Sequence, residues 1–542
     1  MDNYGLWGII PPLLTIVLAF LTKDVIVSLF LGILSGALII TGGNPALALM
    51  KLSDLLAGSL ADSWNIRILL FCALLGGLVG MLTKTGAALS FGRWASLHLK
   101  NKKSSQLMTF FFGIIIFIDD YFNSLTVGTV MRPICDKTKV SRAKLAYILD
   151  STAAPVCILA PISSWVVTVM SIVRDAQGFE KLHMSEFSFF IHSIPYNLYA
   201  LTTLLMVFSV IILNRDFGPM KDSEKLAQTG KFFNEDKYGP VSGNVPETGE
   251  TRAHPFDMLF PIIVLIVTAI VMFPVTTWIG MMDGEKIVHL KQAMTAITLR
   301  QAFNNTDSSV ALFYAIIITL FVTYIYYLAR RLMTLPESGE ALRDGIKSMI
   351  PALIILTMAW SIGTIIKSPR NEGGLGLGIY LSQVVKAGGF PLALLPVVLF
   401  VLSALISFST GTSWGTFGIM IPIALPIVTG LAEANNSTQA SLVNAAMISV
   451  SAVLSGAVFG DHSSPISDTT ILSSTGASCP HLEHVATQMP YAFFVAVCCL
   501  AGFIAGGFFD SNIACWGADL LIFIPGLLLL PLITSKKSSN SR

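Results

Sequence analysis

The chain has 542 residues, of which 54% are hydrophobic and only 12% charged, with a formal net charge of +2. Soluble globular domains carry about 25% charged residues, so half that share, with apolar runs near 20 residues, marks an integral membrane protein. Near-neutral charge leaves no footprint for nucleic acid, and seven cysteines without CxxC or zinc-type spacing (Cys72, Cys157, Cys498 and Cys499 within apolar runs) imply no disulfide frame, metal site or cofactor.

The opening, MDNYGLWGIIPPLLTIVLAFLTK, places no basic residue before its apolar run, which argues against a cleaved signal peptide and makes 6–22 the first span. Further apolar runs lie at 24–41, 66–83, 188–213, 256–279, 309–329, 346–366, 490–509 and 519–534. Four longer regions, 107–134, 145–172, 391–430 and 440–475, are interrupted by Gly, Pro, Ser, Thr or Asp. The expected fold is an all-α polytopic membrane protein of about 11 crossings. Residues 1–213 form an N-terminal transmembrane half with a broken hairpin at 107–134. Residues 255–542 form a C-terminal half with a broken hairpin at 391–430. Between them, 214–254 mixes both charge signs with Gly and Pro and reads as a mobile cytoplasmic linker.

Basic residues set the orientation. Lys84, Arg93, Lys100, Lys102 and Lys103 form one cluster, and Arg132, Lys137, Lys139, Arg142 and Lys144 a second. Arg330, Arg331, Arg343 and Lys347 form a third, with Lys536 and Lys537 in the tail. With all four clusters cytoplasmic, the N-terminus lies outside and the C-terminus inside the cell membrane. Region 107–134 then starts and ends inside and 391–430 outside, the arrangement of inverted repeats. Short matches agree. Met131-Arg132-Pro133-Ile134 recurs as Met420-Ile421-Pro422-Ile423, which sets Asn123 and Ser124 on Thr412 and Ser413. Pro161-Ile162-Ser163-Ser164 recurs as Pro465-Ile466-Ser467-Asp468.

The run GIIIFIDDYFNSL, residues 113–125, carries Asp119 and Asp120 into apolar surroundings. A charge at bilayer depth costs about 2.5–3.5 kcal/mol even on a lenient scale. These carboxylates therefore need a cation, a proton, a basic partner or helix-end amides. Asp150, Asp461 and Asp468 have comparable settings, each with Ser, Thr and Pro nearby. Oxygen-rich breaks suit a hard cation such as sodium. The same residue types also cap helix N-termini and pack helices, and either Asp119 or Asp120 alone can face the rim. Asp150 and Asp461 lie deepest in small or apolar runs and are the first choice as competing carboxylates, with Asp120 and Asp468 as alternates. Asn123, Ser151, Thr152, Thr412, Ser463, Ser467 and Thr469 supply candidate oxygens for the shell. His462 is more readily a hydrogen-bonded structural group than a proton carrier. No role is assigned to the remaining histidines, and Trp165, Trp360 and Trp414 read as packing or interface residues.

At FIDDYFNSLTVGTVMRP (117–133), SRAKLAYILDSTAAP (141–155), APISSW (160–165), TGTSWGTFG (410–418) and FGDHSSPISDTT (459–470), the chain resembles the NhaC-type sodium/proton antiporter family of the ion transporter superfamily. The resemblance implies a secondary transporter of the cytoplasmic membrane with inverted repeats and re-entrant hairpins, a homodimer, and sodium–proton exchange. Relatives look able to move organic acids or amino acids instead. Exchange follows if one buried carboxylate binds a proton or sodium, never both, and the gate moves only when that site is filled. The rival is a sodium- or proton-coupled carrier of a small organic acid or amino acid, whose carboxylate half-helix N-termini would cradle. With Arg132 at a span end, no intramembrane arginine stands out as its counter-ion. An intramembrane aspartyl protease is disfavoured, because Val458, Phe459 and Gly460 before Asp461 do not make G-x-G-D. The chain reads as no enzyme, and proline-broken hairpins in inverted halves suit a carrier better than a channel.

Overall fold

Many helices begin where a short polar side chain takes up backbone N–H groups that have no helical partner. Asp24 accepts from Val27, Asn44 from Ala46 and Leu47, Asp62 from Trp64 and Asn65, and Asp307 from Ser309 and Val310. The structure is a computed structural model and describes residues 3–22, 24–87, 90, 91, 94, 101–239, 252–283, 289–304, 306–377, 380 and 391–539. Arg93 and Lys100 of the first basic cluster, and 240–251 of the segment between the halves, lie outside the described residues.

The principal helices of the first half are α1 (Ile10–Thr22), α2 (Val25–Ile40), α3 (Pro45–Ala61), α4 (Ser63–Lys84), α5 (Lys102–Ile115), α6 (Asp120–Lys137), α7 (Arg142–Thr152), α8 (Ser164–Asp175) and α9 (Leu198–Leu213). After α10 (Gly218–Gln228) come α11 (Phe256–Gly280), α12 (Ser308–Ala329), α13 (Leu335–Lys367), α14 (Leu395–Thr410) and α15 (Ser413–Ala434). The chain finishes with α16 (Gln439–Ser463), α17 (Asp468–Ala477), α18 (His481–Phe509) and α19 (Asn512–Ser539).

Among the described residues nine helices are long and apolar enough to cross a membrane, or up to ten if the bent pair Glu186–Tyr196 and Leu198–Leu213 is one span. The expected first two spans are shorter apolar helices, and α3 is a helix that the apolar runs did not announce. Exposed side chains on these helices are themselves apolar, Ile263, Val267, Ile270 and Phe321 among them, as a surface facing acyl chains requires.

All four interrupted regions are helix–break–helix elements: α5–α6, α7–α8, α14–α15 and α16–α17. The polar residues that gather at the breaks meet backbone groups left unpaired by the helix ends. The breaks of α7, α14 and α16 meet inside the bundle, enclosed by α6, α17 and α18.

The start of the expected mobile linker is ordered. Phe217 stacks on Tyr491 at 4.1 Å between centroids. Asp216 pairs with the buried Lys144 at 2.5 Å, and Ser223 Oγ donates to Glu483 at 2.7 Å. Mixed charge there serves specific pairing with α7 and α18, which composition alone does not distinguish from a solvated loop.

Candidate functional site

The α14–α15 break supplies the first centre. Gly411 holds φ at +70°, and a side chain there would meet the Ile466 carbonyl at 2.7 Å. Thr412 is extended, and α15 starts at Ser413. The Ser413 N–H (3.2 Å) and Oγ (2.7 Å) both donate to Asp461 Oδ2. Ser467 Oγ donates to Asp461 Oδ1 and lies 2.9 Å from Thr469 Oγ1. Ser467 occupies the N-cap position of α17 without capping it, because its hydroxyl is engaged by Asp461. Asp461 is thus surrounded by hydroxyl oxygens and one backbone amide.

Asp150 forms the second centre, fully buried in the last turn of α7. Its Oδ2 accepts from Gln488 Nε2 (2.6 Å) and Thr470 Oγ1 (3.1 Å) and lies 3.2 Å from His484 Nε2. Its Oδ1 has no hydrogen-bond partner. Gln488 Nε2 also donates to the His462 carbonyl. The His462 ring sits 2.7 Å from Tyr199 Oη and 3.1 Å from Ser151 Oγ. One hydrogen-bonded network therefore joins both carboxylate-bearing helix ends.

A cleft of about 200 Å³ opens over the α14–α15 break. Four aspartates line it, Asp24, Asp119, Asp120 and Asp468, with no Lys or Arg among the described lining residues. Thr412, which precedes Ser413, and Ile466, which precedes Ser467, also line it, so the two serines holding Asp461 flank the cleft. Asp119 caps α6 by accepting the Phe122 N–H at 3.0 Å. Asp120 is buried with Oδ2 unpartnered. Asp468 is exposed and accepts from Tyr121 Oη at 3.2 Å.

The other expected residues divide. Asn123 Nδ2 donates to the carbonyls of Gly113 (2.7 Å), Ile116 (2.9 Å) and Thr152 (2.9 Å), stitching the α5–α6 break to α7. Thr152 and Ser463 donate their hydroxyls back to Ile148 and Phe459 in their own helices, each four residues earlier, and take no part in either centre. Trp165 is fully buried edge-on against Trp414 at 5.9 Å, and Trp360 Nε1 donates to Ser171 at 2.6 Å.

Sequence reasoning passed over Ser413, Thr470, His484, Gln488 and Tyr199. His484 and Gln488 did carry a signal: they stand four apart at the entrance to an apolar span, on one face of a helix. Ser413 and Thr470 adjoin expected residues, and Tyr199 carried no mark in its apolar run.

The profile described as the Na+/H+ antiporter family matches residues 156–508, which takes in the α14–α15 break, Asp461, His484 and Gln488. The chain belongs to the Na+/H+ antiporter family. It is a multi-pass membrane protein and a secondary transporter, not an enzyme. A Haemophilus influenzae relative, described as an uncharacterized protein, is 37% identical over 525 residues, 96% of this chain and 94% of that one. An uncharacterized Na+/H+ antiporter of the same organism is 36% identical over 147 residues, 27% of this chain and 28% of that one. A Bacillus subtilis malate-2H+/Na+-lactate antiporter is 27% identical over 226 residues, 37% of this chain and 42% of that one.

Proposed function

We propose that the protein exchanges sodium for protons across the cell membrane, with Asp461 as the carboxylate that binds either ion. The observation that carries this reading is the hydroxyl cage of Ser413 and Ser467 around Asp461, flanking a cleft lined by four aspartates. Oxygen donors suit a hard monovalent cation, and the acidic lining concentrates cations while repelling anions. With sodium bound, the serine oxygens turn lone pairs to the ion. With a proton bound, Asp461 is neutral and keeps its hydrogen bonds. An empty, charged Asp461 is costly to carry through an apolar layer, so movement of the filled site alone gives strict exchange.

Asp150 takes the proton-handling role in this proposal. Its donors are N–H groups and one hydroxyl, which compete poorly as sodium ligands, while its unpartnered Oδ1 leaves room for a proton. The two transmembrane halves would rock about the shared network, with the N-terminus outside and the C-terminus and the 214–254 segment cytoplasmic.

The second reading, a sodium- or proton-coupled carrier of a small organic acid, is favoured by the Bacillus subtilis relative named for malate and lactate. Sealed proteoliposomes with an imposed inside-acid gradient and a pH-sensitive dye separate the two. Sodium exchange predicts that sodium alone dissipates the gradient, and that the apparent KM for sodium falls as pH rises because fewer protons compete. If sodium is inert until malate, lactate or an amino acid is added, the organic-acid reading replaces it.

A further inference from the structure

Where α9 ends, the chain turns at Asn214 and enters α10, leaving a cavity of about 570 Å³ between this turn, α10 and the start of α5. Two carboxylates and four cationic side chains line it. Both carboxylates are already engaged. Asp216 pairs with Lys144 at 2.5 Å and accepts from Tyr491 Oη at 3.0 Å. Glu224 accepts the Ser141 N–H at 2.8 Å and pairs with Lys102. Arg215, Lys221 and Lys225 face the same cavity with no carboxylate within ion-pair distance among the described residues. Three uncompensated cations on one concave wall, beside acids that cannot neutralise them, make an anion site.

The surroundings identify the source of the anion. Phe208, Ile212 and Leu213, at the end of α9 that leads into the cavity, are 38%, 38% and 42% exposed, so an acyl-facing surface runs up to its mouth. Basic pockets at a membrane boundary bind anionic headgroups, and Arg forks a phosphate with two parallel hydrogen bonds. We propose that this cavity holds the phosphate of an anionic phospholipid, with Arg215, Lys221 and Lys225 as its ligands and the end of α9 as the bed for its acyl chains.

The test uses the full-length protein in a neutral detergent, offered phosphatidylglycerol and phosphatidylcholine and followed by native mass spectrometry. Wild type should retain phosphatidylglycerol in preference to phosphatidylcholine. At about 5-fold for each basic residue at a membrane surface, Arg215→Gln/Lys221→Gln/Lys225→Gln should weaken that retention on the order of 100-fold. The single change Lys225→Gln, at an exposed position, should weaken it about 5-fold, and it decides the matter if the triple variant does not elute as a folded species. Equal retention of phosphatidylglycerol by wild type and variants overturns the proposal. So does inorganic phosphate displacing the bound phosphatidylglycerol as well as added phosphatidylglycerol does, because the ligand is then free phosphate. Neither result bears on sodium exchange, which this experiment does not measure.

Discussion

Asp150 and Asp461 hold the same place in two different helices. Each is the third residue from a helix end, and its carbonyl accepts the N–H of the residue three further on, Ala153 at 3.3 Å and Ser464 at 3.0 Å. A serine at the N-cap position opens a helix soon after each, Ser467 the next one and Ser163 the one beyond the short helix Ala154–Cys157. The surroundings differ: nitrogen donors of α18 gather on Asp150, hydroxyls of the breaks on Asp461. A repeated backbone device has acquired two chemistries.

Asp461→Asn keeps size and hydrogen bonding but cannot carry the charge that sodium and protons compete for. Exchange in proteoliposomes should fall below about 1% of wild type, a loss of roughly 3 kcal/mol or more in the driving interaction. Ser413→Ala removes a hydroxyl worth about 1.5–3 kcal/mol to a charged acceptor and should raise the sodium KM about tenfold or more. Ser463→Ala should leave KM unchanged, since its hydroxyl bonds within its own helix. Equal shifts in both serine variants would mean that the cage has been wrongly assigned.

Asp150→Asn should separate folding from transport. The asparagine can keep its Oδ1 toward Gln488, Thr470 and His484, leaving its Nδ2 at the position where the carboxylate oxygen has no partner. The variant should therefore elute as folded protein yet fail to couple proton movement to sodium. Retention of more than half the wild-type exchange rate would exclude Asp150 from proton handling.

The membrane class and the four breaks were legible because composition and interruption follow directly from what lipid forbids. The match of Pro161–Ser164 with Pro465–Asp468 puts Ser163 and Ser467 both at N-cap positions, though only Ser163 caps its helix. The match of Met131–Ile134 with Met420–Ile423 was not a structural register. It set Asn123 on Thr412, whereas the N-cap counterpart of Thr412 is Asp119, about one helical turn away. Asp150 and Asp461 were visible as buried acids, but the partners that distinguish them come from distant helices. No local pattern placed Gln488 beside Asp150, 338 positions away. The ordering of α10 was hidden for the same reason: Asp216 needs Lys144, and Ser223 needs Glu483.

Lys144 and Asp216 form an ion pair with side chains only 1% and 11% exposed. Removing one partner strands a desolvated charge, which typically costs about 3–5 kcal/mol, whereas replacing both by apolar residues of similar volume is often neutral. Lys144→Met should therefore lower thermal stability in detergent more than Lys144→Met/Asp216→Leu does. A double variant as unstable as the sum of the singles would show that the two side chains act independently and that the pair carries no coupling energy.

The α4–α13 crossing offers a test of packing beside the cleft, to whose wall α13 contributes Ser348 and Met349. A Cβ on Gly76 would lie 2.5 Å from the Gly345 carbonyl oxygen, and one on Gly345 would press on the Gly76 carbonyl in turn. Small residues on both helices let the backbones touch, which is how membrane helices gain dispersion and weak polar contacts without a hydrophobic driving force. Gly345→Val must push the helices apart, at a cost of about 1–3 kcal/mol or more, and should lower the yield of folded protein and its Tm in detergent. Gly363, in the same helix α13, has nothing within 4 Å of where its Cβ would stand. Gly363→Ala should be neutral or stabilising by about 0.5–1 kcal/mol, because alanine loses less backbone entropy than glycine in a helix. A Tm that falls equally in both variants would trace the loss to the glycine substitutions themselves and not to this crossing.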